Sequence, residues 1–151
     1  MLHTNPRFTL RLSRERITLL LNIEQNEYKE IGSADPNGSD INQNLDVLRN
    51  QVEALSSDLP LIDVMLPDEL ILIQNLTIEA SNDPITAIEA REIISTTCKL
   101  KENEINVAIG SPTSHRTQPV AAVTSKTLNE TRLFLNNAGF NTRRFMASKP
   151  I

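Results

Sequence analysis

Residues 120–146 decide the fold and read VAAVTSKTLNETRLFLNNAGFNTRRFM. The first five residues form a short apolar run that is typical of a buried β-strand. A helical pattern follows from Ser125 to Ala138, for which the Ser125 hydroxyl is the predicted N-cap. Gly139 is suited to the left-handed residue that ends many helices, and Asn141–Met146 is β-rich. The stretch therefore predicts strand, helix and strand in succession.

Three more elements precede this stretch and complete a recognisable order. Residues 70–78 are β-rich, and residues 84–97 carry a helical pattern opened by Asn82-Asp83-Pro84. Residues 105–108 form another short apolar strand before a loop rich in Ser and Pro. The order βαββαβ usually gives a four-stranded antiparallel sheet with both helices on one face. We therefore expect a ferredoxin-like βαββαβ subdomain in residues 67–151.

The first 66 residues predict a separate unit of order βββαβ. Strands are expected at Phe8–Leu12, Arg16–Ile23 and Glu27–Ile31, and their hairpin-length connections favour an antiparallel meander. A helix is predicted from Asp40 to Leu59, followed by a strand, Leu61–Leu66, that is apolar enough to be buried on both faces. The apolar stripe of the helix consists of Ile41, Leu45, Leu48, Val52, Leu55 and Leu59. The predicted class is mixed α/β (α+β), with domains at residues 1–66 and 67–151.

Composition excludes several classes of function. Only 3% of the 151 residues are aromatic and none is Trp, which argues against a base-stacking surface for nucleic acid. Residues 1–66 hold six Lys and Arg against ten Asp and Glu, and residues 67–151 hold nine against nine, so neither half is a basic footprint. No apolar run is long enough to span a membrane. We expect no nucleic-acid partner and no membrane contact by this segment.

A search for reactive chemistry yields no predicted catalytic, metal or cofactor site. Each candidate lacks the neighbours that its chemistry would need, such as clustered ligands, a general base or a buried acid. The candidates are His3, His115, the single Cys98, the pairs Asp68–Glu69 and Glu102/Glu104, and Ser125. The basic group of Arg143, Arg144 and Lys149 is interpreted as a solvated strand edge, with a phosphate contact as its alternative. The chain is therefore predicted not to be an enzyme.

Three motifs resemble the N-terminal half of bacterial actin-like assembly proteins. They are Leu66–Leu72 (LPDELIL), Pro119–Leu128 (PVAAVTSKTL) and Phe134–Phe140 (FLNNAGF). The nearest members of that group are the cytoplasmic part of type II secretion protein L and the pilus assembly protein M. The resemblance implies an RNase H/actin-like βββαβ half followed by the ferredoxin-like subdomain.

A set of uncharacterised alphaproteobacterial proteins, some labelled translation initiation factor 2, resembles the chain more closely. That label implies a GTPase. The chain contains no G-x-x-x-x-G-K-[ST] motif, since its glycines are only Gly32, Gly38, Gly110 and Gly139.

The first hairpin turn departs from the actin-like pattern. Active members place an Asp and a Gly there, near the nucleotide's metal and phosphates. This chain has Ser13-Arg14-Glu15-Arg16 instead, which is interpreted as ordinary turn charge, with phosphate binding by an arginine as the alternative. The second actin-like lobe is also missing, so the reading frame is expected to continue past Ile151.

Two function hypotheses remain from different classes. The first is a non-catalytic protein-interaction or scaffold module of a secretion or pilus assembly platform, with a degenerate nucleotide site. The alternative is a divergent nucleotide-binding module of the ATPase type. Open sheet edges predict a protein partner or a homodimer. A single cysteine and the resemblance favour the cytoplasm, including the cytoplasmic part of a membrane-anchored parent protein.

Overall fold

A computed structural model describes residues 6–24, 27–37, 40–56, 60–78, 84–114 and 116–147. Its strands are β1 (Arg7–Leu12), β2 (Ile17–Glu24), β3 (Glu27–Ala34), β4 (Leu61–Leu66), β5 (Leu72–Thr77), β6 (Ile105–Ile109), β7 (Thr117–Thr124) and β8 (Asn141–Ala147). Its helices are α1 (Ile41–Leu55), α2 (Ala87–Cys98) and α3 (Ser125–Asn137), with short 3₁₀ turns at Asp68–Leu70 and Glu102–Glu104. The mixed α/β class predicted from the sequence is confirmed.

The described residues divide into two compact units. The first unit contains those of Met1–Pro67 and Thr131–Ser148, and the second contains those of Asp68–Glu130. The chain thus leaves the first unit after β4 and re-enters it within α3. The predicted division at residue 66 lies one residue from the first of these crossings, and the second crossing divides the segment assigned to residues 67–151.

The first unit is built on a five-stranded sheet of order β3-β2-β1-β4-β8. β1, β2 and β3 form the predicted antiparallel meander, while β4 runs parallel to β1. Phe8 and Leu10 on β1 are buried beside Ile62 and Val64 of β4, because parallel neighbours place these alternate side chains on one face.

Helix α1 contributes its apolar stripe to the core of the first unit. Leu45, Leu48 and Val52 are buried, which confirms the centre of the predicted stripe. The helix ends at Leu55, whose side chain is 50% exposed, so the stripe is shorter than predicted. Leu59 lies outside the described residues.

The prediction of a four-stranded ferredoxin-like sheet is wrong, because β8 is not part of the second sheet. Strand β8 pairs in parallel with β4 and therefore belongs to the five-stranded sheet. A parallel pair needs a crossover connection, and the chain between β4 and β8, ending in α3, supplies it. In this position Phe145 of β8 opposes the buried Val64 of β4.

The second unit is a strand-helix-strand-strand unit with a three-stranded antiparallel sheet of order β5-β7-β6. Helix α2 packs on one face of this sheet and begins at Ala87, later than predicted, because Thr86 accepts a hydrogen bond from the Glu89 backbone N–H. The core combines residues of all four elements: Leu76, Ile85, Ala90, Ile94, Ile105, Val120 and Ala122.

The ends of α3 follow general capping rules, with one change from the prediction. Thr124, and not Ser125, caps the start of the helix by accepting a hydrogen bond of 3.2 Å from the Thr127 backbone N–H. Gly139 has φ +91° at the other end, as predicted. The Phe140 N–H donates to Leu135 O over 3.0 Å, which completes a Schellman-type cap and starts β8.

Candidate functional site

The turn between β1 and β2 is the place where the resemblance would put a phosphate-binding loop. Ser13 closes this turn on itself. Its hydroxyl accepts from the Arg16 N–H at 3.0 Å and lies 3.0 Å from Arg16 O, which also accepts from the Ser13 backbone N–H at 2.9 Å. The two inward-directed backbone groups of Arg16 are therefore bound to Ser13.

The loop after β3 is tied to the same turn. The Asn37 side-chain amide donates to Arg14 O at 2.8 Å, and the Asn37 N–H donates to the Asp35 carboxylate at 2.8 Å. Arg14, Glu15 and Arg16 are exposed. Since every residue from 13 to 16 carries a Cβ and the turn has no glycine, close backbone approach to a phosphate is hindered.

A buried carboxylate lies on β4 of the five-stranded sheet, beside the edge strand β8. Asp63 of β4 is 4% exposed and receives a forked pair of hydrogen bonds from Arg143 of β8, at 2.9 Å from Nε and 3.2 Å from Nη2. Arg144 Nε lies 3.3 Å from the same carboxylate. The hydrogen bond from Arg143 to Asp63, followed by their charge attraction, raises the pKa of the Arg143 guanidinium.

Arg143 and Arg144 are exposed on the edge strand β8, in agreement with the interpretation of the basic group as a solvated strand edge. Arg143 is in addition the ion-pair partner of a carboxylate 80 residues earlier in the chain, while Lys149 lies outside the described residues. One signal in the sequence could have revealed the pair. Asp63 interrupts the apolar run of β4, and a buried carboxylate requires a cation or several donors.

A second polar pair lies next to Asp63 in the same sheet. Thr9 of β1 opposes Asp63 and is fully buried, and its hydroxyl donates to the Asn22 side-chain oxygen at 2.8 Å. The Thr9–Asn22 bond joins β1 to β2 and the Asp63–Arg143 pair joins β4 to β8, so we assign each pair to holding its two strands in register.

In the second unit an apolar cavity of about 300 Å³ opens between β5, β7 and the end of α2. Leu72, Ile94, Leu100 and Ala122 form much of its wall, with the carboxylate residue Glu69 among its few polar ones. This volume is at the lower limit for small-molecule pockets. The cavity provides apolar contact and no convergent set of polar groups.

Of the reactive candidates from the sequence, Cys98 and Glu69 line this same cavity, and its described lining residues include no histidine and no second carboxylate beside them. Cys98 is exposed. The pairs Asp68–Glu69 and Glu102/Glu104 lie in exposed 3₁₀ turns. Ser125 is engaged as a structural group, donating to Asn103 O and accepting from Asn106 Nδ2.

His3 and His115 lie outside the described residues. Within the described ranges, no group of three or more His, Cys, Asp or Glu side chains is placed to hold a metal ion. Among the same residues, no helix has the length and apolar character needed to cross a membrane.

Gln118 is a structurally important residue that the sequence did not reveal. Its buried side chain accepts from the Ile85 N–H at 2.7 Å and donates to Ile85 O at 3.0 Å and Gly110 O at 3.1 Å. It thereby joins the segment before α2 to the loop after β6. No local pattern distinguishes this glutamine from a solvent-facing one, because both partners are distant in sequence.

The fold is shared with components of bacterial assembly machinery. The cytoplasmic domain of EpsL, an inner membrane component of the type II secretion system of Vibrio cholerae, aligns with 94% of this chain at 15% identity and a TM-score of 0.64. The PilM-PilN type IV pilus biogenesis complex contains a chain that aligns with 93% at 12% identity and a TM-score of 0.60. A Bacteroides thetaiotaomicron protein with an actin-like ATPase fold aligns at a TM-score of 0.46, and the fold assignment does not depend on it.

These likenesses confirm the predicted similarity in fold to the cytoplasmic part of type II secretion protein L and to the pilus assembly protein. The chain covers 57% of the EpsL chain and 47% of the PilM-PilN chain, so it spans about half the length of the structures it matches. No family model and no curated protein matches the sequence. The predicted resemblance to alphaproteobacterial proteins labelled translation initiation factor 2 gains no support from these comparisons.

Proposed function

We propose that this chain is a protein-interaction module of an actin-like assembly platform that acts by binding other proteins without turning over a nucleotide. Its fold is that of proteins from a secretion system and a pilus biogenesis complex, which supports a role in the same class of machinery. The proposed location is the cytoplasmic face of such a machine. The proposed partner is another protein of that assembly.

The observation that carries the non-catalytic part of the proposal is the structure of the β1–β2 turn. Ser13 occupies the backbone groups of Arg16, and Asn37 occupies the carbonyl of Arg14. A phosphate loop needs backbone N–H groups that converge on the anion with little steric hindrance. In this turn the Arg16 N–H is bound to Ser13, and every residue from 13 to 16 carries a Cβ that hinders the approach of an anion.

The buried carboxylate of the five-stranded sheet favours the same conclusion. Asp63, the most deeply buried carboxylate among the described residues, is neutralised by Arg143 and Arg144. A general acid or base requires a group that is free to exchange its proton with a substrate. The ion pair leaves Asp63 committed to the sheet.

Calorimetric titration of the full chain with magnesium ATP tests the proposal. We expect no saturable heat up to millimolar nucleotide, with magnesium ADP as a parallel titrant. Binding with micromolar affinity would overturn the proposed loss of the nucleotide site.

The second candidate is a divergent nucleotide-binding module, and the exposed Arg14 and Arg16 in the turn are the observation that favours it. If this candidate were correct, Arg14→Glu and Arg16→Glu would abolish binding. Arg7→Glu, at an exposed arginine at the start of β1, is the matched control and would leave such binding unchanged. Loss of binding in all three variants would indicate nonspecific charge attraction and leave the scaffold proposal standing.

A further inference from the structure

Within the part of the chain that the structure describes, strand β5 is an open edge of the three-stranded sheet and lacks the usual protection against pairing. Its sequence, LIQNLT, contains no charge and no proline, and its register with β7 is regular throughout. The side chains of Leu72 and Ile73 are 43% and 49% exposed, on opposite faces of the strand. Natural edge strands are normally protected by charges, bulges or proline, because an unpaired edge is a template for another strand.

The two edges of the five-stranded sheet, β3 and β8, carry such protection. β3 contains Glu27, Lys29 and Glu30 and has irregular register with β2. β8 carries Arg143 and Arg144 and is also irregular against β4. Charges and irregular spacing of this kind disfavour the addition of a flat strand.

The remaining edge, β6, is shorter and less open than β5. It has five residues, follows a 3₁₀ turn with two glutamates, and packs beside α2. In β6 Ile105 is buried and, of its large apolar residues, only Ile109 at the end of the strand is exposed, whereas both apolar residues at the start of β5 are exposed. The open apolar edge of the three-stranded sheet is therefore β5.

Hydrogen bonding defines which backbone groups of β5 point outward. The Ile78 N–H donates to Arg116 O at 2.8 Å, which makes this a hydrogen-bonded pair at the end of the β5–β7 ladder. Backbone groups alternate along an antiparallel strand, so those of Ile73, Asn75 and Thr77 face away from β7. Among the described residues, no backbone group outside β5 bonds to these outward groups.

We propose that β5 pairs antiparallel with β5 of a second copy of this chain, about a two-fold axis at Asn75. In such a pairing, the residues that form hydrogen-bonded pairs must be those whose backbone groups face away from β7, namely Ile73, Asn75 and Thr77, on both copies. A two-fold at Asn75 satisfies this condition completely, because it places Ile73 opposite Thr77 and Asn75 opposite Asn75. The outward N–H and C=O groups of both strands are then all bonded.

The same register is favourable for the side chains. It places Leu72 beside Ile78 of the second copy, at the edge of the apolar cavity, and lets the two Asn75 amides meet on the other face. No charged residue opposes another within the paired strands, since β5 has none. Cross-strand pairs of this kind stabilise a sheet. The result is a six-stranded sheet that extends from β6 of one copy to β6 of the other.

This inference rests on the geometry of the β5 edge and is independent of the proposed function, whose test is nucleotide binding. A single strand edge buries less surface than a standard stable interface, so the association is expected to be weak and concentration-dependent. Sedimentation velocity of the full chain, from low to high micromolar concentration, measures it. A chain that stays monomeric across that range would overturn the proposal.

The Asn75→Lys variant tests the register. It places two lysines opposite each other at the axis, and like charges directly opposite destabilise strand pairing. Asn75 is exposed, so the variant should fold, as circular dichroism can verify. Ala108→Lys, an exposed position on the same face of β6, is the matched control. We expect Asn75→Lys to be monomeric and Ala108→Lys to associate like the unmodified chain; equal association of both would overturn the register.

A disulfide experiment provides a second readout that does not depend on weak affinity. In a Cys98→Ser background, Asn75→Cys is expected to form a covalent dimer under mild oxidation. The Cα atoms of a hydrogen-bonded antiparallel pair are about 5.5 Å apart, within disulfide range. Ala108→Cys is the control. Dimers that form equally from both variants, or from neither, would contradict a two-fold at Asn75.

Discussion

The two sheets of this protein differ in whether their edge strands are protected against pairing with another strand. The five-stranded sheet buries an aliphatic core under α1 and ends in two charged, irregular edges, β3 and β8. The three-stranded sheet has a smaller core held partly by Gln118, and its edges β5 and β6 carry no charge. In a monomeric domain, an uncharged open edge is a risk of aggregation.

The contrast indicates a division of roles. The first unit has the features of a stable framework, with its buried acid paired and its edges blocked. The second unit presents exposed apolar residues beside an open edge and a cavity, which are features of a contact surface. The following substitutions test that contrast, from the largest expected effect to the smallest.

The framework role predicts a large cost for a core deletion in the first unit. Leu48 is 1% exposed on the inner face of α1, so Leu48→Ala should lower the free energy of unfolding by about 2–5 kcal/mol. Chemical denaturation measures the change. Val47→Ala, at a neighbouring side chain that is 56% exposed, is the control and should cost less than about 0.5 kcal/mol. Similar losses for both variants would show that this helix does not have one buried face.

The smaller core of the second unit should depend on its buried glutamine. Gln118→Leu removes the hydrogen bonds to Ile85 and Gly110 and leaves their backbone groups unsatisfied, at a cost of about 1–3 kcal/mol in unfolding free energy. Urea denaturation is the measurement. Gln43→Leu, at an exposed position of α1, is the control. If Gln118→Leu were as stable as the unmodified chain, apolar packing alone would suffice for this unit.

The attachment of β8 to the five-stranded sheet should depend on the left-handed Gly139 cap at the C-terminal end of α3. Gly139 has φ +91°, and a Cβ there would lie 2.8 Å from the Arg49 side chain. Because the end of Arg49 can move, the backbone conformation dominates, and Gly139→Ala should cost about 1–2 kcal/mol. Thermal unfolding compares it with Asn137→Ala, an exposed position in the last turn of α3. Equal midpoints for the two variants would show that the left-handed cap is not needed.

The smallest effect is expected at the ion pair that joins β8 to β4. Arg143 makes two hydrogen bonds to Asp63, whereas the more exposed Arg144 makes one longer contact, so Arg143→Ala should lower the thermal midpoint more than Arg144→Ala. Each arginine remains to neutralise Asp63 when the other is removed, and solvent screens both. Thermal scans at low and high salt measure the difference. The reverse order would assign Asp63 primarily to Arg144.

Much of the local structure could be predicted from the sequence. The meander of β1 to β3, the buried centre of α1, the two-sided burial of β4 and the left-handed Gly139 all follow from short-range patterns. Element ends were less predictable, because Thr86 and Thr124 compete with their neighbours for the capping position.

The candidate site was much less predictable. The absence of glycine in the β1–β2 turn was evident from the sequence, but the hydrogen bond from Asn37 to Arg14 was not. Likewise, Asp63 and its partner Arg143 are 80 positions apart, and Gln118 and its partner Ile85 are 33 positions apart. The identity of one residue does not indicate a partner so far away in the sequence.

The sequence by itself determined the elements, their order and the faces they bury, because periodicity, caps and turn residues act within a few positions of the chain. Only the tertiary structure decided that β8 joins β4 and leaves β5 as an open edge. The physical reason is that strand pairing is a competition between distant edges. A buried Asp63 that needed a cation, and a parallel crossover ending in α3, favour the five-stranded sheet in that competition.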